Sequence, residues 1–252
     1  MPYFKYNEKK VYYRIEGSGE PLLLIHGNSV SSKMFTPVLE HYSSNFRVIL
    51  IDLPGHGKSA RLYSFPKDFW YENAVAVHEL LKHLGLPPVN VIGTSGGALI
   101  ALNLLLEHPE SVKALIADSF EGTESVASFA DNVHMLRAED KKKLFMRFYW
   151  FRNHGLGWRR VVDNDSQAIY AHHMEIKKFF HRDLSEIKKP LLLTGSLEDE
   201  FLKDIIVDLY ADLKGTIRGC RSHYFYTGGH PAMITSGGEF AKVAADFFKS
   251  NG

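Results

Sequence analysis

A serine between glycines stands where the chain is predicted to turn from a strand into a helix. The segment Gly93–Gly97 has the sequence GTSGG; a predicted buried strand, Val89–Ile92, precedes it and a predicted helix, Ala98–Leu106, follows it. Glycines allow so tight a turn, because no Cβ atom clashes with the backbone there. Such a turn pushes a serine hydroxyl outward, so we predict that Ser95 is a nucleophile that attacks a carbonyl group.

A serine hydroxyl is a weak nucleophile at neutral pH, so it needs a neighbouring base. The chain has 13 histidines, and His230 is the candidate because of its position in the sequence. His230 follows a predicted strand and two glycines and precedes the last predicted helix, which places it at the sheet edge where Ser95 emerges. His26 is the nearest competitor for this role. His172 and His173 are neighbours that point to different faces of a helix, so we expect no metal site there.

The elements that must position these two side chains alternate between strands and helices. This alternation is typical of an α/β fold, a mostly parallel central sheet with helices on both faces. The predicted strands span residues 10–15 (as an edge strand), 21–25, 47–51, 89–92, 112–117, 190–194 and 222–227. The predicted helices run from Ser31 or Ser32 to about residue 42, and over residues 70–84, 98–106 and 238–249.

The alternation breaks between residues 120 and 187, where helical patterns rich in aromatic and charged residues replace the strands. The break begins after one predicted strand and ends before the next, and no linker rich in glycine, serine or proline flanks it. We therefore predict a helical cap over residues 120–187 and a core formed by residues 1–119 and 188–252. Some aromatic residues of the cap either line an apolar pocket or form the cap's own small core: Phe145, Phe148, Tyr149 and Trp158.

Several motifs in order resemble the α/β-hydrolase fold family, and the resemblance covers nearly the whole chain. Residues 17–28 look like the family's opening strands and His-Gly turn, and residues 52–59 look like its D-x-x-G-x-G-x-S loop. The segment Gly93–Gly97 is similar to the nucleophile elbow, and His230 looks like the catalytic histidine. The resemblance implies an α/β-hydrolase core around the cap, and a serine hydrolase of the carboxylesterase-like branch with the order serine, acid, histidine.

The acid of such a triad should hold the histidine ring in the correct tautomer and stabilise its charged form. Three carboxylates follow the predicted strand over residues 190–194: Glu198, Asp199 and Glu200. The resembled family usually has the spacing G-x-x-D, and counting from Gly195 places the acid at Glu198. Counting from Pro190, the start of the strand, places it at Asp199. We choose Asp199, because aspartate is the commoner acid in the resembled family, and Glu198 stays open as the rival. Asp118, at the end of an earlier strand, is a further alternative in a variant arrangement.

Hydrolysis also requires N–H donors aimed at the oxygen that becomes negative in the transition state. The resembled family places one donor directly after the nucleophile and another after the His-Gly turn. These positions correspond to the backbone amides of Gly96 and Asn28, which we predict to form the oxyanion hole. The side chain of Asn28 is expected to line the pocket or to stabilise the turn.

Composition argues against several other classes of function. The 252 residues carry 30 Lys and Arg against 29 Asp and Glu, a net charge of +1, so no basic excess favours nucleic acid. The single cysteine, Cys220, excludes an internal disulfide, and no apolar run approaches a membrane span or a signal peptide. We therefore expect a cytoplasmic protein with no nucleic-acid or membrane partner. The predicted serine chemistry implies no cofactor or metal.

The predicted function is hydrolysis of a small, fairly apolar carboxylic ester through Ser95, His230 and Asp199. The same triad also serves lactone, thioester or carbon–carbon bond hydrolysis and haloperoxidase-like perhydrolysis, and these stay open. The small-residue turn H-G-x-G-P-G of the carbon–carbon bond hydrolases is absent, since Asn28–Ser31 stands in its place. From different classes, the alternatives are a ligand-binding signalling protein with vestigial turnover and an interaction protein that docks through the cap.

Overall fold

Strands form a single sheet in the computed structural model, which describes residues 2–251. In chain order, β1 to β8 span Tyr3–Tyr6, Lys9–Glu16, Glu20–Ile25, Phe46–Ile51, Val89–Thr94, Val112–Asp118, Leu191–Ser196 and Arg221–Phe225. Their order across the sheet is β1-β2-β4-β3-β5-β6-β7-β8. β2 pairs antiparallel with β1 and β4, whereas every pair from β4 to β8 is parallel. The predicted α/β fold class with a mostly parallel sheet is therefore confirmed.

The α-helices cover both faces of this sheet. In chain order, α1 to α10 span Leu39–Ser43, Phe69–His83, Gly96–Glu107, Ala127–Ala130, Val133–Asp140, Leu144–His154, Trp158–Glu175, Ile206–Thr216, Ala232–Thr235 and Gly237–Ser250. Residues of α2, α3 and α8 share one apolar core, and residues of α1, α9 and α10 share the other. Across residues 2–251, no helix combines the length and the apolar character that crossing a membrane requires.

The central strand β3 shows why the sheet must be covered on both sides. Leu23 and Ile25 point into the core beneath α2 and α3, while Leu22 and Leu24 point into the core beneath α1 and α10. All four side chains are fully buried. Because successive residues of a strand point to opposite faces, a wholly apolar strand requires a layer of helices on each side.

Two local predictions are wrong. The strand over residues 10–15 does not lie at the sheet edge, because β1 pairs with its outer side. The helix predicted from Ser31 or Ser32 to residue 42 is divided into a 3-10 turn, Ser32–Phe35, and the short helix α1. Pro37 accounts for the division, because proline lacks an N–H donor and its ring clashes with the preceding turn inside a helix.

Helices α4 to α7 lie between β6 and β7 in the chain, in the segment predicted to be the cap. α7 packs against α4, α5 and α6, and also against α2 of the layer that covers the sheet. A bridge between Glu124 and Lys178 joins the two ends of the segment. The division into a cap over residues 120–187 and a core over residues 1–119 and 188–252 stays a prediction, and residues 1 and 252 lie outside the described residues.

Buried polar contacts connect the end of α6 to two loops of the sheet layer. His154 Nδ1 accepts a hydrogen bond from the Gly57 N–H at 3.0 Å, so Nε2 carries the proton and donates to Ser29 O at 3.0 Å. Burial, together with the nearby charge of His56, lowers the pKa of His154 to about 3. A neutral imidazole therefore joins α6 to the loops that follow β3 and β4.

Replacing His154 by glutamine should weaken the dependence of stability on pH. A histidine in the unfolded chain takes up a proton near pH 6.5, whereas buried His154 stays neutral down to about pH 3, so acid favours unfolding of the wild type. Glutamine can keep both hydrogen bonds and does not titrate. Between pH 7 and pH 5, the wild type should lose about 2 kcal/mol more unfolding free energy than His154→Gln. Urea unfolding at both pH values measures this difference, and equal losses in the two proteins would contradict it.

Candidate active site

Ser95 occupies the sharp turn between β5 and α3. Its backbone dihedral angles are φ 56° and ψ −129°, outside the regions that residues with a side chain prefer. Its N–H donates to Asp118 O on the neighbouring strand at 2.8 Å, which holds the turn at the end of the sheet. The side chain is half-buried, with its hydroxyl directed toward a loop that follows β8.

The flanking glycines allow this turn, because the backbone approaches other backbone closely there. A Cβ atom on Gly97 would lie 2.2 Å from Ile25 O, and a Cβ atom on Gly93 would lie 2.2 Å from Gly97 O. Backbone atoms of a buried sheet cannot move aside to make room for a methyl group. The first turn of α3 therefore lies directly against the end of β3, the strand that leads to the His-Gly turn.

His230 lies beside Ser95, in the loop between β8 and α9. Its Nε2 atom lies 2.9 Å from Ser95 Oγ, and its Nδ1 atom lies 2.8 Å from Asp199 Oδ2. A carboxylate only accepts hydrogen bonds, so Nδ1 carries the proton and Nε2 presents a lone pair to the serine hydroxyl. The structure thus brings Ser95, His230 and Asp199, which were predicted from the sequence, into one hydrogen-bonded chain.

The three carboxylates that follow β7 contact different parts of the histidine loop. Asp199 is fully buried, and its Oδ1 accepts from a backbone N–H two residues later, which leaves Oδ2 for the imidazole. Glu198 accepts from the Gly228 N–H at 3.2 Å, and Glu200 accepts from the His230 N–H at 2.9 Å. Asp199 is therefore the carboxylate at the ring, while Glu198 and Glu200 hold the backbone of the loop. The contact of Glu200 could not be foreseen from spacing.

Asp118, the further candidate for the acid, is also fully buried, but its hydrogen bonds go elsewhere. It accepts from Thr94 Oγ1 at 2.8 Å, from Thr194 Oγ1 at 2.9 Å and from the Met233 N–H at 3.1 Å. Burial raises the pKa of Asp118 to about 6, although these donors and the charge of His230 act in the opposite direction. The carboxylate joins β5, β7 and the segment after the histidine to the end of β6.

His26, the competing base, is built into the core behind the turn. Its Nε2 accepts from the Leu53 N–H at 3.1 Å, so Nδ1 carries the proton and donates to Gly27 O at 2.8 Å. Burial, followed by the nearby charge of His56, lowers the pKa of His26 to about 4. Both ring nitrogens are occupied by backbone groups, which leaves neither for a serine hydroxyl.

The residues whose amides are predicted to form the oxyanion hole flank Ser95. A Cβ atom on Gly27 would lie 3.1 Å from Ser95 Cβ, so the next amide along the chain, that of Asn28, is close to the serine. Asn28 Oδ1 lies against the backbone of Gly96, 1.7 Å from the position that a Cβ atom there would occupy. Among the hydrogen bonds of residues 2–251, none is donated by either amide, so both are available to a ligand.

The aromatic residues of α6 and α7 divide into a buried and an exposed group. Trp158 is buried against Trp150 with ring centroids 5.5 Å apart, and Tyr149 packs partly against this pair, so a small core is present. Phe145 and Phe148 are 74% and 62% exposed, and a core position is wrong for these two. Apolar periodicity marks a helix but does not show which of its sides faces the protein.

An aromatic residue without a recognisable sequence motif faces the imidazole. The ring of Phe201 stands at 90° to the ring of His230, with centroids 5.1 Å apart. Phe129 of α4 packs against Phe201, with ring centroids 6.0 Å apart. An apolar wall therefore flanks the histidine on the side of the predicted cap.

One group of residues away from Ser95 could offer ligands to a metal ion. Ligand atoms of His78, His108 and Glu110 lie within 4.8 Å of one another. The two imidazole rings are stacked, with planes 4° apart and centroids 3.6 Å apart. Because the lone pair of a ring nitrogen lies in the ring plane, stacked rings cannot both point at one ion unless one of them turns. The expectation that the chain needs no metal or cofactor stays a prediction.

The fold and the turn at Ser95 correspond to one known family. A profile of the alpha/beta hydrolase fold matches residues 20–168, which is more than half of the chain. The chain therefore belongs to the alpha/beta hydrolase fold family, and the resemblance predicted from the sequence is confirmed. A solved structure described as Est816, an N-acyl homoserine lactone degrading enzyme, shares the fold: the TM-score is 0.74 at 22% identity, over 98% of this chain and 100% of that chain.

Two relatives with similar sequences are hydrolases with different substrates. An (E)-2-((N-methylformamido)methylene)succinate hydrolase from Acinetobacter baylyi is 36% identical over 43% of this chain, and the match spans only 41% of that enzyme's length. A 2-hydroxy-6-oxononadienedioate/2-hydroxy-6-oxononatrienedioate hydrolase from Burkholderia vietnamiensis is 26% identical over 96% of this chain and 92% of that protein. The two relatives thus share hydrolysis as their activity and differ in substrate.

Gly97→Ala should destabilise the protein, because the added methyl group would lie 2.2 Å from a backbone oxygen of β3. Overpacking costs about 1–3 kcal/mol, and we expect a loss near the upper end because the clash involves backbone. Gly215→Ala is the matched control: a Cβ atom there meets nothing within 4 Å, and helix propensity predicts a gain of up to about 1 kcal/mol. Thermal or urea unfolding compares the two variants. Equal stabilities would show that α3 does not approach β3 this closely.

Proposed function

We propose that this chain is a serine hydrolase that cleaves a small, fairly apolar carboxylic ester through a triad of Ser95, His230 and Asp199. One observation carries the proposal. The contacts run without a gap from Asp199 Oδ2 to His230 Nδ1 at 2.8 Å, and from His230 Nε2 to Ser95 Oγ at 2.9 Å. In such an arrangement an imidazole activates a serine hydroxyl, and a carboxylate orients the imidazole.

In the proposed acylation step, His230 Nε2 takes the proton of Ser95 Oγ as that oxygen attacks the ester carbonyl. The bond from oxygen to carbon forms, and the π electrons of the carbonyl move onto its oxygen. Asp199 stabilises the imidazolium that results. When the tetrahedral intermediate collapses, the bond to the alcohol oxygen breaks, and the alcohol leaves with the proton from His230.

The amides of Asn28 and Gly96 are proposed to donate hydrogen bonds to the negative oxygen of this intermediate. The Gly96 N–H lies at the first residue of α3, where the helix dipole also favours negative charge. In deacylation, a water molecule gives its proton to His230 and attacks the acyl carbon. The acid is released, and Ser95 regains its proton.

The surroundings of the imidazole support an apolar and uncharged substrate. Phe201 and Phe129 form an apolar wall beside His230. Glu198 and Glu200 are exposed next to the same loop, and their negative charge disfavours a substrate that carries a carboxylate on that side. A neutral ester with a short apolar acyl or alcohol group fits both features.

Carbon–carbon bond hydrolysis is the second candidate, because the Burkholderia relative matches this chain over 96% of its length. Against it stands Asn28–Ser31, at the position where such enzymes, by the resemblance, carry a turn of small residues. An apolar p-nitrophenyl ester and a ring-fission dienoate assayed side by side distinguish the two. Turnover of the dienoate alone would favour the second candidate.

A cytoplasmic setting and a small-molecule substrate without a nucleic-acid partner are part of the proposal. The net charge of +1 and the single cysteine support them. A binding protein that only retains the fold is less well supported, since ligand binding alone requires no serine, histidine and aspartate in mutual contact.

Ser95→Ala should remove ester turnover, because no other group in the proposed triad can form the acyl-enzyme. Loss of a triad nucleophile lowers kcat by about 10⁶-fold. The measurement is hydrolysis of p-nitrophenyl butyrate, together with fluorophosphonate labelling mapped by mass spectrometry. Ser128→Ala, which changes an exposed serine of α4, is the matched control and should keep both activity and label. Near-normal turnover by folded Ser95→Ala would end the proposed mechanism.

Asp199→Asn should lower kcat by about 10⁴-fold, since an amide N–H facing Nδ1 favours the imidazole tautomer that cannot accept the serine proton. Glu198→Gln should change kcat by less than about tenfold, because glutamine can still accept from the Gly228 N–H. Steady-state kinetics of both variants on the same ester test the assignment. A large loss in Glu198→Gln with a small one in Asp199→Asn would make Glu198 the acid.

A further inference from the structure

A buried carboxylate outside the triad forms hydrogen bonds with the turn that carries the Asn28 amide. Asp165 lies in α7 and has no exposed surface. Its Oδ2 accepts a hydrogen bond from the Ser29 N–H at 2.8 Å and another from Asn28 Nδ2 at 3.2 Å. One oxygen from the predicted cap therefore holds both the backbone and a side chain of the turn after β3.

The backbone of this turn is strained and needs to be held. Ser29 has a φ of 57°, in the left-handed region that costs a residue with a side chain about 1–2 kcal/mol. Its N–H is bound by Asp165, and its carbonyl oxygen accepts from His154 Nε2 at 3.0 Å. Both backbone polar groups of the strained residue are thus occupied by side chains from the segment between β6 and β7.

The side chain of Asn28 is fixed at both ends. Trp70 Nε1 donates to Asn28 Oδ1 at 3.3 Å, while Asn28 Nδ2 donates to Asp165. The same Oδ1 lies against the backbone of Gly96, whose amide is the other proposed oxyanion donor. The position of Asp165 therefore affects the immediate surroundings of both proposed donors.

Asp165 can stay charged inside the protein because His56 faces it. Asp165 Oδ2 lies 3.6 Å from His56 Nε2, and both side chains are fully buried. Burial alone would raise the pKa of Asp165, but the charges of His56 and Arg137, together with the Ser29 N–H, hold it below the ordinary value. A charged acceptor makes stronger hydrogen bonds than a neutral one, which suits a group that restrains a strained turn.

We infer that Asp165 is a positioning residue for the oxyanion hole: it holds the turn so that the Asn28 amide points at the oxygen of the reacting carbonyl. The inference rests on the proposed function. Asp165 touches no reacting atom and acts through Ser29 and Asn28. Since α7 belongs to the predicted cap, the oxyanion hole is complete only when α7 is seated against the turn.

Three substitutions on α7 test this. Asp165→Ala removes the acceptor, and we expect kcat to fall about 10²-fold with little change in KM, because an oxyanion donor acts in the transition state. Asp165→Asn should recover most of kcat, since its amide oxygen can still accept from the Ser29 N–H. Ser166→Ala is the matched control: this neighbouring side chain is also buried, but its hydroxyl donates to Val162 O of its own helix. Rates are expressed per site, counted from the end point of fluorophosphonate labelling.

A second readout separates positioning from general damage to the fold. Sulfur accepts hydrogen bonds weakly, so a thionoester gains less from an oxyanion hole than the corresponding ester does. The ratio of ester to thionoester turnover should therefore fall about tenfold or more in Asp165→Ala and stay at the wild-type value in Ser166→Ala. If the fluorophosphonate labels no sites in Asp165→Ala, Asp165→Ser is used in its place. The serine hydroxyl keeps a polar group at position 165 but ends one bond short of the Ser29 amide.

The outcomes distinguish this inference from the proposed function. An unchanged ratio in the Asp165 variants, while Ser95→Ala is inactive, overturns the positioning role and leaves the triad intact. Turnover that persists in Ser95→Ala overturns the proposed function itself. A reduced ratio that Asp165→Asn does not restore would also count against a role based on accepting the Ser29 N–H.

Discussion

The carboxylate of Asp118 is the interaction on which the arrangement around Ser95 depends. A single buried group accepts hydrogen bonds from Thr94, Thr194 and Met233, which belong to the strand before the serine turn, the strand before the acidic loop and the segment after the histidine. If these segments moved independently, side-chain contacts of 2.8 and 2.9 Å could not be maintained between them. Apolar packing cannot replace this connection, because it has no direction, whereas hydrogen bonds fix angles as well as distances.

Burying a carboxylate is costly unless its oxygens are satisfied, and the pKa of Asp118 is still raised to about 6. The strained backbone nearby explains why this cost is accepted, since Ser95 and Ser119 have φ values of 56° and 53°. Such conformations persist only where the surroundings over-determine them. A buried carboxylate beside strained backbone is found again after β3, where Asp165 binds the N–H of Ser29, which has a φ of 57°. In both places a buried carboxylate contacts a strained serine at the end of a central strand: Asp118 Oδ1 accepts from Ser119 Oγ at 3.2 Å, and Asp165 Oδ2 accepts from the Ser29 N–H at 2.8 Å.

The sequence predicts those parts of the site that are local. Ser95 and His230 could be identified because each stands in a short glycine-containing motif beside a strand, and the end of a strand determines where a loop residue lies. Spacing could not decide between Asp199 and Glu198, because only the folded loop shows which carboxylate reaches a ring and which an amide. Asp165 was missed, although a charged residue among the apolar residues of a helix is a recognisable signal of a buried contact. The sheet was predictable because its inner strands are continuous apolar runs; the exposed side of α6 was not, because packing decides it.

The segment between β6 and β7 contacts two parts of the candidate site. α4 brings Phe129 toward Phe201 and the imidazole, and α7 brings Asp165 to the turn after β3. In the proposed mechanism, substrate fit and stabilisation of the transition state are then physically connected. Because α4 packs against α7, a shift of the two helices that moved Phe129 would also move Asp165, which binds the turn that carries the Asn28 amide. A change of substrate would therefore have to come from positions of the segment that do not contact this turn. Asp165 and His154 have to keep their places whichever substrate is accepted, because they hold the N–H and the carbonyl of the same strained residue.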